Sequence, residues 1–302
     1  MSNIISYSQY SIWLACPFKW KLLYIDKIKS FENNIYMIFG NAINKSVQLY
    51  VESLFNNGIN VANQLDILNF FKNNLYDQYN AVKNEIKLLY LNDTEDEINF
   101  KLNSIISKQN MVEFFFDAKK ILEWLKENRT DYFNLNKEIF IGKDIFFEYE
   151  INNLLFKCYI DIVLKNKKTG QYRFIDIKSS TYGWKSYDKG DAGKTDQLLL
   201  YKYFYSKKYN IPIKNIDIEY LILKRKLYDD IPYKQKRIIK YAPSSGIQSI
   251  NKTLKRFDDF MNQCYLNNDI NHNGKFIKIP VDYNCLRCPF NKYVELCNKS
   301  NE

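Results

Sequence analysis

The sequence predicts an α/β fold, a mixed central sheet flanked by helices, with a helical insertion ahead of the sheet and a cysteine-rich C-terminal tail behind it. Residues 35–130 carry apolar positions at helical spacing. Residues 136–242 break into short β-branched and aromatic runs punctuated by Asn-Asn and Thr-Gly, and Cys285, Cys288 and Cys297 fall at the end. The 302 residues are 46% apolar and 26% charged, which allows a substantial core and argues against general disorder. No repeat or linker divides them. One domain over 1–302 is expected, with a mostly helical region 35–130, a sheet and helix over 136–242, and a C-terminal helix and cysteine tail over 245–302.

Taken in order, residues 6–25 read as two short helical pieces broken at Cys16-Pro17, because proline suits a first helical turn. Ile38, Ala42, Val47, Leu49, Val51 and Leu54 predict an amphipathic helix over Ile35–Phe55, ended by Gly58. Helices over 61–83 and 95–127 follow, the second opening on an acidic cluster, Asp93 to Glu97, that suits a helix N-terminus. Strands are expected at 138–142, 145–151, 154–165 and 172–179, forming a meander. A loop over 183–193 then leads to a helix at 194–208. A buried strand (216–224), a basic strand (234–241) and a helix (245–266) complete the pattern.

The formal net charge of +10 suits a polyanionic partner, since each Lys or Arg that neutralises a phosphate releases a counterion; a solvated, Lys-rich surface is the plain alternative. No run resembles a secretory leader or a membrane span, so an intracellular, reducing compartment is expected and disulfides are not. His272 is the only histidine, which excludes a His-based triad or a multi-histidine metal centre. No GxxxxGK[ST] run occurs.

Two strands carry carboxylates among apolar neighbours: Asp161 within Cys158–Leu164, and Asp176 within Phe174–Ser179, where Lys178 follows on the same face. An ionised carboxylate in such company is costly unless paired or bound to metal. Two that converge suit a hard cation such as Mg²⁺, which lowers the pKa of a bound water and offsets charge on a phosphate. Lys178 would steady that water or that charge. An Asp–Lys ion pair on a solvated face is the alternative.

This arrangement resembles the PD-(D/E)XK nuclease superfamily in its RecB-like exonuclease branch. Ser6-Tyr7-Ser8 and Cys16-Pro17 resemble the branch's N-terminal elements, and Gly40 to Asn44 occupies its Gly-x-x-x-His helix position. Asp161 and Asp176-Ile177-Lys178 match the catalytic strands, and Gln197 to Tyr201 matches the Gln-x-x-x-Tyr helix. The resemblance implies a restriction-endonuclease-like core and a Mg²⁺- or Mn²⁺-dependent DNA nuclease, acting as an exonuclease in recombination, repair or phage replication. Asp161, Asp176 and the Ile177 carbonyl would hold the metal, while Lys178, Gln197 and Tyr201 serve the attacking water and the phosphate. The departure is Asn44, which stands where the family's metal-binding His is found; an amide oxygen is a weaker ligand. A DNA-end-binding module with weak or lost catalysis is therefore the rival. A bacterial or phage-type cytoplasmic protein, away from membranes and partnered by a helicase or recombination protein, is the implied setting.

Cys285-x-x-Cys288 with Cys297 suits a soft metal or cluster, because the spacing lets two thiolates reach one centre. In relatives of this branch, one N-terminal and three C-terminal cysteines hold a [4Fe–4S] cluster, and Cys16 completes that set here. Structural Zn²⁺ and free buried thiols are the alternatives. For DNA contact, Lys224, Arg225 and Lys226 end a strand beside Tyr182, Trp184 and Tyr187, which are candidates for phosphate and base contact; an ordinary charged edge strand fits the same residues.

Overall fold

The computed structural model describes residues 4–28, 33–280, 285–286, 288–292 and 297, so most of the expected tail beyond 280 lies outside the described residues. The chain opens with a three-residue strand, β1 (Ile4–Ser6), followed by α1 (Tyr7–Ala15) and α2 (Pro17–Tyr24). The Ser6 side chain caps α1 and Pro17 opens α2, leaving Cys16 as the extended residue between them. Next come α3 (Ile35–Asn56), α4 (Gly58–Gln64), α5 (Ile67–Leu89), α6 (Glu95–Ile105) and α7 (Lys108–Glu127).

The sequence predicts single helices over 61–83 and 95–127, and the structure breaks both stretches. Asp66 accepts from the Asn69 N–H and Ser107 from the Asn110 N–H, so each caps a new helix. Such a cap is worth about 1 kcal/mol, and apolar periodicity alone does not register it. Gly58, at φ +84°, separates α3 from the next helix and immediately begins it.

The sheet is six-stranded, adding β2 (Glu138–Ile151), β3 (Leu154–Asn166), β4 (Tyr172–Ser180), β5 (Ile216–Lys224) and β6 (Ile238–Tyr241). β2 and β3 form a hairpin whose turn residues, Asn152 and Asn153, both have positive φ, as a two-residue hairpin turn requires. β4 runs antiparallel to β3 and parallel to β5, and β6 runs antiparallel to β5. The parallel step is bridged by α8 (Ser186–Gly190) and α9 (Ala192–Tyr209), and α10 (Ile247–Cys264) follows the sheet. The break expected at residues 143–144 is absent, one long strand running through with a bulge between Phe140 and Gly142, and the basic strand shortens to four residues.

One face of the sheet packs under α3 and the insertion, through Ile38, Ala42, Ile43, Ile162, Ile175 and Ile177. The other packs under α1, α9 and α10, through Tyr10, Phe156, Cys158, Leu198, Phe257 and Phe260. This is the restriction-endonuclease-like core. Among the described residues, no helix is long and apolar enough to cross a membrane.

β3 changes allegiance along its length. Phe156, Cys158 and Ile160 belong to the α9 side, whereas Ile162 and Leu164 belong to the α3 side. The switch falls where Asp144 of β2, in the left-handed region at φ +47°, lies between the pairs Lys143↔Ile162 and Ile145↔Ile160. Asp161 sits at this reversal of the pleat.

Candidate active site

A strand has two hydrogen-bonding edges, and β2 occupies one edge of β3 almost throughout. The other edge is shared: β4 pairs with Ile162–Lys165 and β1 with Leu155–Lys157. No described strand pairs with residues 158–161 along that edge, so β1 and β4 diverge around a fork. Buried backbone groups in such a gap need other partners. The Tyr201 hydroxyl lies close to the Tyr159 backbone. The Asp161 side chain fills the rest, its Oδ2 accepting from the Ile177 N–H at 2.7 Å.

Helix α3 grips Asp161 from the other side. Asn44 Nδ2 donates to Asp161 Oδ2 at 3.0 Å, and Gln48, one turn on, donates through Nε2 to the Asp161 carbonyl at 3.1 Å and to Asp144 Oδ1 at 2.8 Å. On β4, the two-residue period turns Asp176 and Lys178 to one face, with Nζ 2.8 Å from Asp176 Oδ2. Lys178 also donates to Gln197 Oε1 at 2.9 Å, and Gln197 Nε2 reaches the Tyr201 hydroxyl at 3.4 Å. Asp161, Asp176, Lys178, Gln197, Tyr201 and Asn44, expected together from sequence, thus meet at the fork. Gln48 and Asp144 were not expected. Gln48 sits four residues after Asn44 on the same helical face, which is the one local signal for it.

The electrostatics follow from crowding two carboxyls into this fork. Burial, followed by the neighbouring charge of Asp176, pushes Asp161 up to about 7; Lys178, the Ile177 N–H and Asn44 oppose that rise without cancelling it. Burial likewise raises Asp176, against the pull of Lys178. Burial works against the charge of Lys178, yet Asp176 and Asp161 together hold it above the ordinary lysine range.

Among the described residues, two buried side-chain oxygens lack a hydrogen-bond donor: Asn44 Oδ1 and Asp176 Oδ2, the latter in ion contact with Lys178 but without a directed bond. Acceptor oxygens left in this state suit a hard divalent cation. Two carboxylates meet here rather than three, and among the described residues no three His, Cys, Asp or Glu side chains form a metal-holding group. The oxygen donors available are therefore Asp161, Asp176, the Asn44 amide and backbone carbonyls.

The fork opens into a cleft of about 1460 Å³ whose lining includes Lys178, Gln197, Tyr201, Lys157, Lys185 and Tyr182. Trp184 also lines it, its ring packed 4.9 Å from that of Tyr220. The three basic residues 224–226 are placed otherwise than the sequence suggests. Lys224 and Arg225 are buried, Arg225 lying over the Phe114 ring at 3.7 Å and 3.1 Å from Asp117; Lys226 pairs with Glu113 at 2.8 Å. Arg225 and Lys226 fasten the helical insertion to the sheet. Their acidic partners lie more than 100 residues earlier, beyond the reach of local sequence reading.

Cys16, Cys285, Cys288 and Cys297 all line a separate cavity of about 190 Å³, together with Phe18, Lys278 and Phe290. None of the four is joined in a disulfide, and burial raises Cys288. The chain ends therefore meet at the cysteines the sequence singles out. Cys158 and Cys264 are buried in the core, and His272 is exposed.

The sequence profile of the PD-(D/E)XK nuclease superfamily matches residues 4–293. The chain is similar to a solved structure from Eubacterium rectale, provisionally described as an exonuclease, at 14% identity over 86% of this chain and 79% of that one, with a TM-score of 0.43. It is also similar to the solved structure of a protein named SSO0001, at 12% identity over 91% and 92% of the two chains, with a TM-score of 0.31. No curated protein matches it.

Proposed function

The chain belongs to the PD-(D/E)XK nuclease superfamily, and from that premise we propose that it is a Mg²⁺- or Mn²⁺-dependent deoxyribonuclease of the RecB-like branch, cutting phosphodiester bonds as an exonuclease in DNA recombination, repair or phage replication. The observation that carries the reading is the fork itself, where a buried and a half-buried carboxyl, both under-compensated, share one ammonium at the edge of a large cleft. Residues 1–302 are read as one nuclease domain. A cytoplasmic setting and a helicase or recombination partner are part of the proposal.

Asp161, Asp176 and the Ile177 carbonyl would hold the divalent ion, with Asn44 Oδ1 as a further oxygen. When bound, such an ion supplies Lewis-acid stabilisation and a more acidic water. The chain's own groups do the rest. Lys178 presents a fixed positive charge to the phosphate and to the attacking water, and Gln197 holds the ammonium in place. Tyr201 accepts from Gln197 and lines the cleft, where it would steady the water or the phosphate. Among the expected DNA contacts, Tyr182, Trp184 and Tyr187 line the cleft, whereas Lys224 is buried and Arg225 and Lys226 act through the fold. The four cysteines would hold a [4Fe–4S] cluster, or else Zn²⁺, that staples the chain ends; four soft thiols around one cavity fit either group.

A labelled-DNA assay in Mn²⁺, comparing wild type with Lys178→Ala, tests the reading. Cleavage by the wild type and its loss in the variant are expected; equal cleavage by both would defeat the mechanism. Asn44 favours a second reading, a DNA-end-binding module with weak catalysis, because its amide is turned to donate to Asp161. Tight binding without cleavage would select it.

A further inference from the structure

We propose that Phe146 and Tyr159 form a stacking platform for unpaired bases of the nucleic-acid strand whose phosphate reaches the carboxylate fork. The proposal rests on the nuclease reading above and assigns to it a base-contact site on the β2–β3 hairpin.

The two residues are direct cross-strand partners, with ring centroids 5.0 Å apart and planes inclined by 41°. They are 44% and 56% exposed, whereas the other large rings on these strands are buried (Phe147, Phe156) or packed partly buried against the cores (Phe140, Tyr149). Exposed cross-strand aromatics stabilise a hairpin only modestly, so local sheet stability does not by itself account for leaving both rings in water.

Their position relates them to the fork. The pleat turns Lys157, Tyr159 and Asp161 to the same side of β3, at about 3.3 Å per residue, so Tyr159 lies about 7 Å along the strand from Asp161. Tyr159 and Lys157 line the same cleft as Lys178 and Gln197. The backbone beneath the platform is the regular β2–β3 ladder, in which Phe146 and Tyr159 are paired residues, so the rings stand on a rigid element.

Aromatic faces beside a phosphate site fit the π-faces of bases, and those faces are available only where the bases are unpaired. Charge plays the smaller part. Lys157 stands 6.0 Å from the Phe146 ring, but its cross-strand neighbour is Glu148. The contact is therefore with bases more than with backbone, which separates this platform from a general phosphate track.

The test measures binding of a labelled oligothymidylate, and of an abasic strand of equal length, by fluorescence anisotropy in Ca²⁺. Phe146→Ala and Tyr159→Ala are expected to weaken oligothymidylate binding by about 10- to 100-fold. They should leave abasic-strand binding and the melting temperature unchanged, while Tyr159→Phe retains wild-type binding. Alanine variants that bind oligothymidylate as the wild type does, or lose both strands equally, would overturn the platform. If the wild type cuts DNA in Mn²⁺ while those variants bind normally, the platform alone fails; if the wild type neither binds nor cuts any DNA, the nuclease reading fails with it.

Discussion

Replacing Asp161 by Asn should stabilise the metal-free protein at neutral pH while removing its response to metal. The fork holds two carboxyls and one ammonium, and Asp161 is pushed from 3.8 up to about 7, first by burial and then by Asp176. The sign follows from proton counting. Between about pH 4 and pH 7 the folded state holds a proton that the unfolded chain has released, so folding stability falls as pH rises through that window and levels off above it. At about 1.4 kcal/mol per pH unit, the full penalty is about 4 kcal/mol, and at roughly 2 °C per kcal/mol it lowers the melting temperature by about 8 °C. An amide in place of the carboxyl has the same shape and no charge, so the variant escapes the penalty. Thermal unfolding in EDTA should therefore give similar melting temperatures for the two proteins at pH 4 and a higher one for Asp161→Asn at pH 8. Adding Mn²⁺ at pH 8 should raise the wild type and leave the variant unmoved. If the two proteins show parallel melting temperatures across the whole range, Asp161 is not held as an acid and the electrostatic account of the fork is wrong.

Lys178→Ala should lower the cleavage rate by about 10²- to 10³-fold with little change in DNA affinity, the loss expected when a fixed positive charge is removed from a reacting phosphate; single-turnover assays with saturating DNA read it directly. Asn44→His, which restores the family's ligand type, should reduce the Mn²⁺ concentration for half-maximal cleavage roughly tenfold, and an unchanged metal titration would place Asn44 outside the metal's reach. Arg225→Met should destabilise the protein by about 3–5 kcal/mol in denaturant titration, because it leaves Asp117 buried with Lys226 as its remaining ion-pair partner; a loss under about 1 kcal/mol, the worth of an exposed pair, would refute the clamp. Purified without oxygen, the protein should be brown with about four irons per chain, and Cys288→Ser should be colourless; metal analysis that finds zinc in place of iron would reassign the cysteine site.

What the sequence exposed were features that carry their own local signature. Asp176 and Lys178 stand two apart on a strand, Gln197 and Tyr201 four apart on a helix, and the strand and helix periods bring each pair to one face. The hairpin announced itself through Asn152-Asn153. What stayed hidden depends on partners far along the chain. β1 is three residues long, and nothing in Ile4-Ile5-Ser6 says that it will take the edge of β3 that β4 abandons. Gln48 looks like any polar residue on a helix until β3 supplies the Asp161 carbonyl and β2 supplies Asp144. Arg225 read as surface charge because Asp117 and Phe114 approach it only in the folded chain. The kink at Asp161 was also invisible, since it needs the reversed pleat opposite it at Asp144.

Burial of a carboxylate does not by itself mark a ligand site, and this chain contains the control. Asp196 is fully buried beside Gln197, yet it accepts from Tyr10, from Thr253 and twice from Arg256. Asp117 is met by Arg225 and Lys226, and Asp188 by Lys194 and the Lys185 N–H. Each of these carboxylates has cationic and hydrogen-bonding partners of its own, so it stabilises the fold and offers nothing to an ion. Asp161 and Asp176 instead draw on a single ammonium that Gln197 also holds. They face each other across a fork where the sheet has given up its own hydrogen bonds. Only two changes can settle that deficit: a proton, which the raised Asp161 takes below about pH 7, or a divalent cation. On the proposed function, the proton would silence the site and the cation would equip it for phosphodiester chemistry. The same strand divergence that strands the β3 backbone thus creates the charge imbalance that a metal would relieve.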